Sequence, residues 1–175
     1  IHIPLPGAHM VINAAAAACV GKILGLTGEQ IAEGIASVRS LQGRSNLIQG
    51  KHCMIIDDCY NANPMSMKAS INVLAQADGR KVAILGDMFE LGEKSSNLHK
   101  EVGECAADNN IDLIITIGQL SKDIHNGAKL KGANAIHFDT KEEFFEKMDS
   151  LLKSGDTILI KASNSMKFKE IVAKF

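Results

Sequence analysis

Residues 53–64 read Cys53-Met54-Ile55-Ile56-Asp57-Asp58-Cys59-Tyr60-Asn61-Ala62-Asn63-Pro64. The first four are an apolar run of strand length. They give way without a linker to two carboxylates, a phenol and two amides, and the chain beyond Pro64 is helix-like. A turn alone does not require so many polar groups. A strand that empties into a polar turn and then a helix is the repeating unit of an open α/β sheet, where ligands bind at the carboxyl edge of the strands.

The same unit recurs downstream. Leu47-Ile48-Gln49, Gly50-Lys51 and His52 to Ile56 read as a β-hairpin. Helices are expected at 65–77, 95–109, 120–130, 140–153 and 165–174, alternating with strands at 81–85, 113–117, 135–138 and 157–160. Leu113-Ile114-Ile115-Thr116-Ile117 is apolar without alternation, as expected of a strand buried on both faces. Repeated β-α units of this length imply an α/β fold, a mostly parallel sheet with flanking helices.

Upstream the character differs. Residues 8–25 form a small-residue helix, nearly pure alanine from Asn13 to Ala18. Gly25-Leu26-Thr27-Gly28 breaks it, and Thr27 with Gln30 forms a capping box for a second helix with Ile31, Ile35 and Val38 on one face. Residues 39–46 are polar and turn-rich, and a domain boundary is expected there. The opening Ile1-His2-Ile3-Pro4-Leu5-Pro6-Gly7 reads like the middle of a strand and its exit loop, as expected of a piece of a longer protein.

The chain has 175 residues, 46% of them apolar, so a sizeable core is expected. Its 19 basic and 20 acidic residues nearly balance, which gives no electrostatic case for nucleic acid or an anionic membrane. No apolar run approaches the roughly 20 residues that span a bilayer. Cys19, Cys53, Cys59 and Cys105 form no C-x-x-C pair, and reduced, mostly buried thiols in a cytosolic protein are expected.

Several strands end in polar or glycine-bearing loops that would share one rim with Asp57 to Asn63. Asp87 and Glu90 follow the strand at Ile84-Leu85 and are hard to explain by turn formation alone. Gly118 reads as an ordinary turn glycine, and Thr140 with Glu143 as a capping box. Lys161, at the end of the last strand, reads as a solvated lysine or as an anion contact. Asp58 could cap the helix that begins near Pro64. No G-x-x-x-x-G-K-[S/T] and no G-x-G-x-x-G occurs, so this stretch carries no phosphate loop of its own. No metal site is expected within it.

These motifs resemble the Mur ligases. Gly7-Ala8-His9-Met10-Val11-Ile12-Asn13-Ala14-Ala15-Ala16-Ala17 is similar to their G-x-H-N-x-x-N-x-x-A-A segment, and Gly43-Arg44 to the arginine that closes their central domain. Asp57 to Pro64 resembles a D-D-x-Y-N-A-N-P signature found in the branch that adds a dipeptide. Leu85-Gly86-Asp87-Met88-x-Glu90-Leu91-Gly92 with His99 is similar to the same branch, and so is Gly155-Asp156 ahead of Ile160-Lys161-x-Ser163-x-Ser165-Met166.

The resemblance implies an enzyme of three domains. Residues 1–45 would be the last helices of its central ATP-binding domain, and 46–175 its C-terminal Rossmann-like domain. The phosphate loop and most contacts to Mg2+ would lie upstream, so the fragment alone would be inactive and its catalytic set incomplete. The implied reaction is ATP-dependent. The carboxylate of a UDP-N-acetylmuramoyl-tripeptide is phosphorylated, and the amine of D-alanyl-D-alanine displaces the phosphate in peptidoglycan precursor synthesis in the bacterial cytoplasm. Partners would be these substrates and the protein's own N-terminal and central domains, with no nucleic acid and no membrane.

By the same resemblance His9 and Asn13 would lie at the adenine and Arg44 at the ATP phosphates. Asp58, or Asp57, would accept from the ribose. Tyr60, Asn61, Asn63, Asp87, Glu90, Lys161 and Ser163 would border the substrates. Met10 stands where an asparagine is usual, and Asn164 where an arginine is common. A reading of another class is a non-catalytic Rossmann-like module that binds a nucleotide or a partner domain.

Overall fold

The computed structural model describes residues 1–175, which form two compact units, Ile1–Leu41 and Gln42–Phe175. In the first, α1 (His9–Ile23) and α2 (Gly28–Ala36) are joined by Leu24–Thr27. Alanine content carries α1, which has little apolar face to bury. Val11, Ile12, Val20 and Ile23 all remain exposed. The Thr27 capping box forms as expected: its hydroxyl accepts from the Gln30 N–H at 3.2 Å and the Gln30 side chain accepts from the Thr27 N–H at 2.9 Å. The helices meet at Gly21, where a Cβ would lie 3.0 Å from Ile31 Cγ1. Val38, expected on the face of Ile31 and Ile35, lies beyond the helix and is half-exposed. The chain leaves the helix at Ser37, whose hydroxyl donates back to the Gly34 carbonyl.

The second unit is a six-stranded sheet. Its strands are β1 (Asn46–Gln49), β2 (Met54–Asp57), β3 (Lys81–Gly86), β4 (Leu113–Ile117), β5 (Ala135–Phe138) and β6 (Thr157–Lys161). Their order is β1-β2-β6-β3-β4-β5. Only β1 runs antiparallel, in the hairpin with β2. Between strands lie α3 (Pro64–Ala75), α4 (Ser95–Asp108), α5 (Lys122–Leu130) and α6 (Lys141–Leu151), with α7 (Lys169–Val172) at the end.

Period-2 alternation divides each strand between two cores. Ile56, Ala83, Leu85, Ile114 and Leu159 pack with Met67, Ile71 and Leu74 of α3, Val102 of α4 and Ile124 of α5. Ile55, Val82, Ile84, Ile115, Ile158 and Ile160 pack with Phe144 of α6, with Ile171 of α7 and with Phe168 just before α7. Both faces are therefore covered, which is why the strands read as unbroken apolar runs.

Three local expectations are corrected. The strand expected from His52 starts at Met54, because Gly50–Cys53 is a loop closed by Gly50 N–H donating to the Cys53 carbonyl at 2.9 Å. The helix expected over 165–174 is a 3-10 turn, Asn164–Met166, followed by the short α7. Between them Lys167 adopts φ 54°, which turns Phe168 into the core. Phe168 packs so close to Gly86 that a Cβ there would sit 2.5 Å from its Cζ. At α6 only half of the capping box forms. Thr140 accepts from the Glu143 N–H, but the Glu143 carboxylate accepts from the Asp139 N–H instead.

Candidate functional site

The loops that follow β2, β6 and β3 lie side by side at the carboxyl edge and enclose a cleft of about 610 Å³. Tyr60, Asn61 and Asn63 come from the first loop, Ser163, Asn164 and Ser165 from the middle one, and Phe89, Glu90 and Leu91 from the third. Five of the twelve residues expected at the site, Tyr60, Asn61, Asn63, Glu90 and Ser163, therefore line one cavity.

The loop after β2 is held from below. Lys161 is 2% exposed, so the solvated reading of this lysine is wrong. Its ammonium donates to Asp58 Oδ2 at 2.6 Å and to the Asn61 carbonyl at 3.0 Å. Burial pulls the Lys161 pKa below its ordinary value, and the attraction of Asp58 opposes that shift. Asp58 also accepts from Ser70 Oγ at 2.6 Å and from the Ser45 N–H at 2.8 Å. It does not cap α3. Asn63 does, accepting from the Ser66 N–H at 2.8 Å while the Ser66 hydroxyl accepts from the Asn63 N–H. Asn61 Oδ1 accepts from the Ala62 N–H, which tightens the turn.

Asp57 is equally buried. It accepts from the Gly43 N–H at 2.9 Å and from the Cys59 thiol at 2.9 Å. Desolvation, with that hydrogen bond, pushes the Cys59 pKa up to about 12. Neither carboxylate lines the cleft. Both tie the loop after β2 to Gly43 and Ser45, and so fix the intervening Arg44. The Arg44 guanidinium lies 4.0 Å from the centroid of the Tyr60 ring. Asp58 already accepts three close hydrogen bonds within the protein itself, from Ser45, Ser70 and Lys161.

The loop after β3 is pinned at four points. His99 is fully buried; its Nε2 accepts from the Met88 N–H at 2.9 Å, so the ring proton sits on Nδ1, which faces the Ser95 carbonyl at 2.7 Å. Ser163 Oγ accepts from the Phe89 N–H at 3.0 Å, and the Ser163 N–H donates to the Asp87 carbonyl at 3.0 Å. The Asp87 carboxylate turns away from the cleft and accepts from the Ser121 N–H at 2.7 Å. Gly118 is more than a turn residue. At φ 116° a Cβ there would lie 2.5 Å from Asp87 Oδ1. Directly after these pins Glu90 is exposed with φ 64°, a left-handed conformation that costs a non-glycine residue about 1–2 kcal/mol.

Residues 43–164 match the family model described as Mur ligase, glutamate ligase domain. The chain belongs to the Mur ligase family. UDP-N-acetylmuramoyl-tripeptide–D-alanyl-D-alanine ligases of Bacillus subtilis and Escherichia coli are 37% and 36% identical to it. The alignments cover 97% of this chain and 38% and 37% of those proteins. The chain thus spans well under half the length of these relatives. Among solved structures, MurF from Acinetobacter baumannii superposes with a TM-score of 0.88 at 32% identity, over 99% of this chain and 38% of that one. A Thermotoga maritima MurF in complex with ADP gives 0.82 at 30%, over 98% and 38%. This Mur ligase chain therefore has the expected Rossmann-like, mostly parallel architecture.

The first unit holds His9 and Asn13. Asn13 Nδ2 donates to the sulfur of Met10 at 3.5 Å, a weak bond to a residue one helical turn earlier. Among residues not anticipated, Ser70 and Ser45 complete the Asp58 site. Ser70 had a sequence signal, a polar residue in the apolar series Met67, Ile71, Leu74 of α3. Leu91 lay within the motif from Leu85 to Gly92, whereas Phe89, its variable position, had no signal, since its place in the cleft follows from the loop's pins. The thiols are free, but only Cys59 is buried; Cys19 is exposed and Cys53 and Cys105 are partly covered. No group of three His, Cys, Asp or Glu side chains is arranged to hold a metal ion.

Proposed function

We propose that this chain is the C-terminal part of an ATP-dependent ligase that joins D-alanyl-D-alanine to a UDP-N-acetylmuramoyl-tripeptide in bacterial cytoplasm. The observation that carries the reading is the cleft at the sheet's carboxyl edge. Its walls are Tyr60-Asn61-Ala62-Asn63, Phe89-Glu90-Leu91 and Ser163-Asn164-Ser165. Similarity to relatives of that name over nearly the whole chain supports it.

In this reading residues 1–45 end a central ATP-binding domain and 46–175 form the C-terminal domain. Arg44, 4.0 Å from the centroid of the Tyr60 ring, meets the nucleotide phosphates, which suit a guanidinium's fork of donors. His9 and Asn13 serve the adenine. Asp57, Asp58 and Lys161 act mainly by holding the loops, with a ribose contact from Asp58 as part of the proposal. Tyr60, Asn61, Asn63 and Ser163 wall the acceptor side, and Asp87 shapes it. ATP supplies the phosphoryl group that activates the tripeptide carboxylate. Mg2+, in this reading, is held mainly by the part of the central domain that lies upstream of these residues. The chemistry is then positioning and charge stabilisation in a cleft that domain closure completes.

The test is ligation by the full-length protein, given ATP, Mg2+ and the UDP-linked tripeptide, with D-alanyl-D-alanine offered against single amino acids. Product and phosphate with the dipeptide alone are expected. ATP-dependent ligation of another amine would keep the family and overturn the substrate. No ligation by folded protein would leave a nucleotide- or partner-binding module.

A further inference from the structure

Glu90 is the only formally charged residue that lines the cleft. It is exposed, it carries φ 64°, and the backbone on its N-terminal side is fixed by His99 at Met88 and by Ser163 at Phe89. A glutamate held in a conformation that favours glycine, directly after two fixed residues, has its Cα–Cβ bond directed by the fold. The loops after β2 and β3 stand two strand spacings apart, with β6 between them. That separation is about 10 Å. A two-residue peptide, about 7 Å long, fits this span with room for side chains.

We propose that Glu90 binds the ammonium of the incoming dipeptide and sets the selectivity of the cleft for a free amine. This rests on the ligase reading above. Phosphates and carboxylates dominate the other reactants of that reading, and Glu90 repels them. The acceptor amine is the one reacting group that arrives as a cation. A charge-assisted hydrogen bond from it to Glu90 orients the dipeptide with its amine toward the β3 loop and its carboxylate toward the amides and hydroxyls of the other two loops. Glu90 acts here in binding and orientation.

Steady-state kinetics of the full-length ligase test this, with E90Q, E90D and E90G, and with N-acetyl-D-alanyl-D-alanine as a competitive inhibitor lacking the charge. For E90Q and E90G the expected result is a rise of about ten- to a hundredfold in KM for D-alanyl-D-alanine. KM for ATP and for the UDP-tripeptide does not rise, and E90D recovers part of the loss. Both variants also lose the preference for the free dipeptide over its N-acetyl form. E90G relieves the backbone strain, so its Tm is equal to or above that of the parent. Unchanged dipeptide KM and preference in E90Q would overturn the proposal and leave the ligase reading intact. So would a KM effect on the UDP-tripeptide instead, or a fall in Tm of E90G that accounts for its lost activity. If the parent ligates no dipeptide, the ligase reading and this proposal fall together.

Discussion

Removing Lys161 tests whether the cleft is built from beneath. Its ammonium is 2% exposed, lies 2.6 Å from Asp58 Oδ2 and holds the Asn61 carbonyl at 3.0 Å. K161M keeps the apolar stem and deletes the charge. Asp58, 8% exposed, would then be left with Ser70 and Ser45 as its donors. Breaking a buried pair by removing one partner costs about 3–5 kcal/mol, chiefly through the stranded charge. For a domain of this size each kcal/mol lowers Tm by roughly 2–4 °C, so K161M should unfold roughly 6–20 °C earlier. D58N should fall in the same range, because it strands the lysine. The double variant D58N/K161M strands neither charge, and the amide oxygen that replaces the carboxylate can still accept from the Ser45 N–H. Its loss should be smaller than the sum of the two single losses by about 2 kcal/mol or more. Thermal and urea denaturation followed by far-UV circular dichroism give all four corners of the cycle. Additive losses, or a K161M protein as stable as the parent, would refute the reasoning that this pair clamps the loop after β2.

Three further outcomes follow from particular contacts. With a thiol reagent at pH 8 the folded protein should lose Cys19 first, while Cys59, whose pKa is pushed up to about 12, is ~10⁻⁴ thiolate and reacts only on unfolding; early labelling of Cys59 in a peptide map would contradict its bond to Asp57. G103A should destabilise by about 3 kcal/mol despite alanine's better helix propensity, because its Cβ would lie 1.9 Å from the Ile124 carbonyl oxygen and would force α4 and α5 apart; a stability equal to the parent in urea titration would refute that packing. Burial, with His137, Lys129 and Lys122 nearby, lowers the His125 pKa below 6.5, so the unfolded chain takes up the proton first; stability should be full above pH 6.5 and fall with pH below it, and H125Q should flatten that slope in melts between pH 5 and pH 7.

Much of this protein is written in local pattern. The unbroken apolar run Leu113–Ile117 announced a strand covered on both faces, and Ile114 and Ile115 do pack in separate cores. Thr27 and Gln30 announced a helix start, since a cap needs only residues within one turn. The loop polarity after β2 marked the edge where a cleft lies, because strand ends in a parallel sheet converge there. Tertiary structure decided what each polar group does. Lys161 looked solvated because its partner Asp58 is 103 residues away in sequence, and no local pattern encodes that pair. The last helix is interrupted at Lys167, where Phe168 turns into the core against Gly86, a residue of a strand far earlier in the chain. The strain at Glu90 is likewise invisible in sequence, since it arises from bonds at Met88 and Phe89 to His99 and Ser163. Periodicity and caps are short-range and can be read along the chain. Burial of charge, close approach at glycine and the direction of a carboxylate depend on contacts that only the folded sheet brings together.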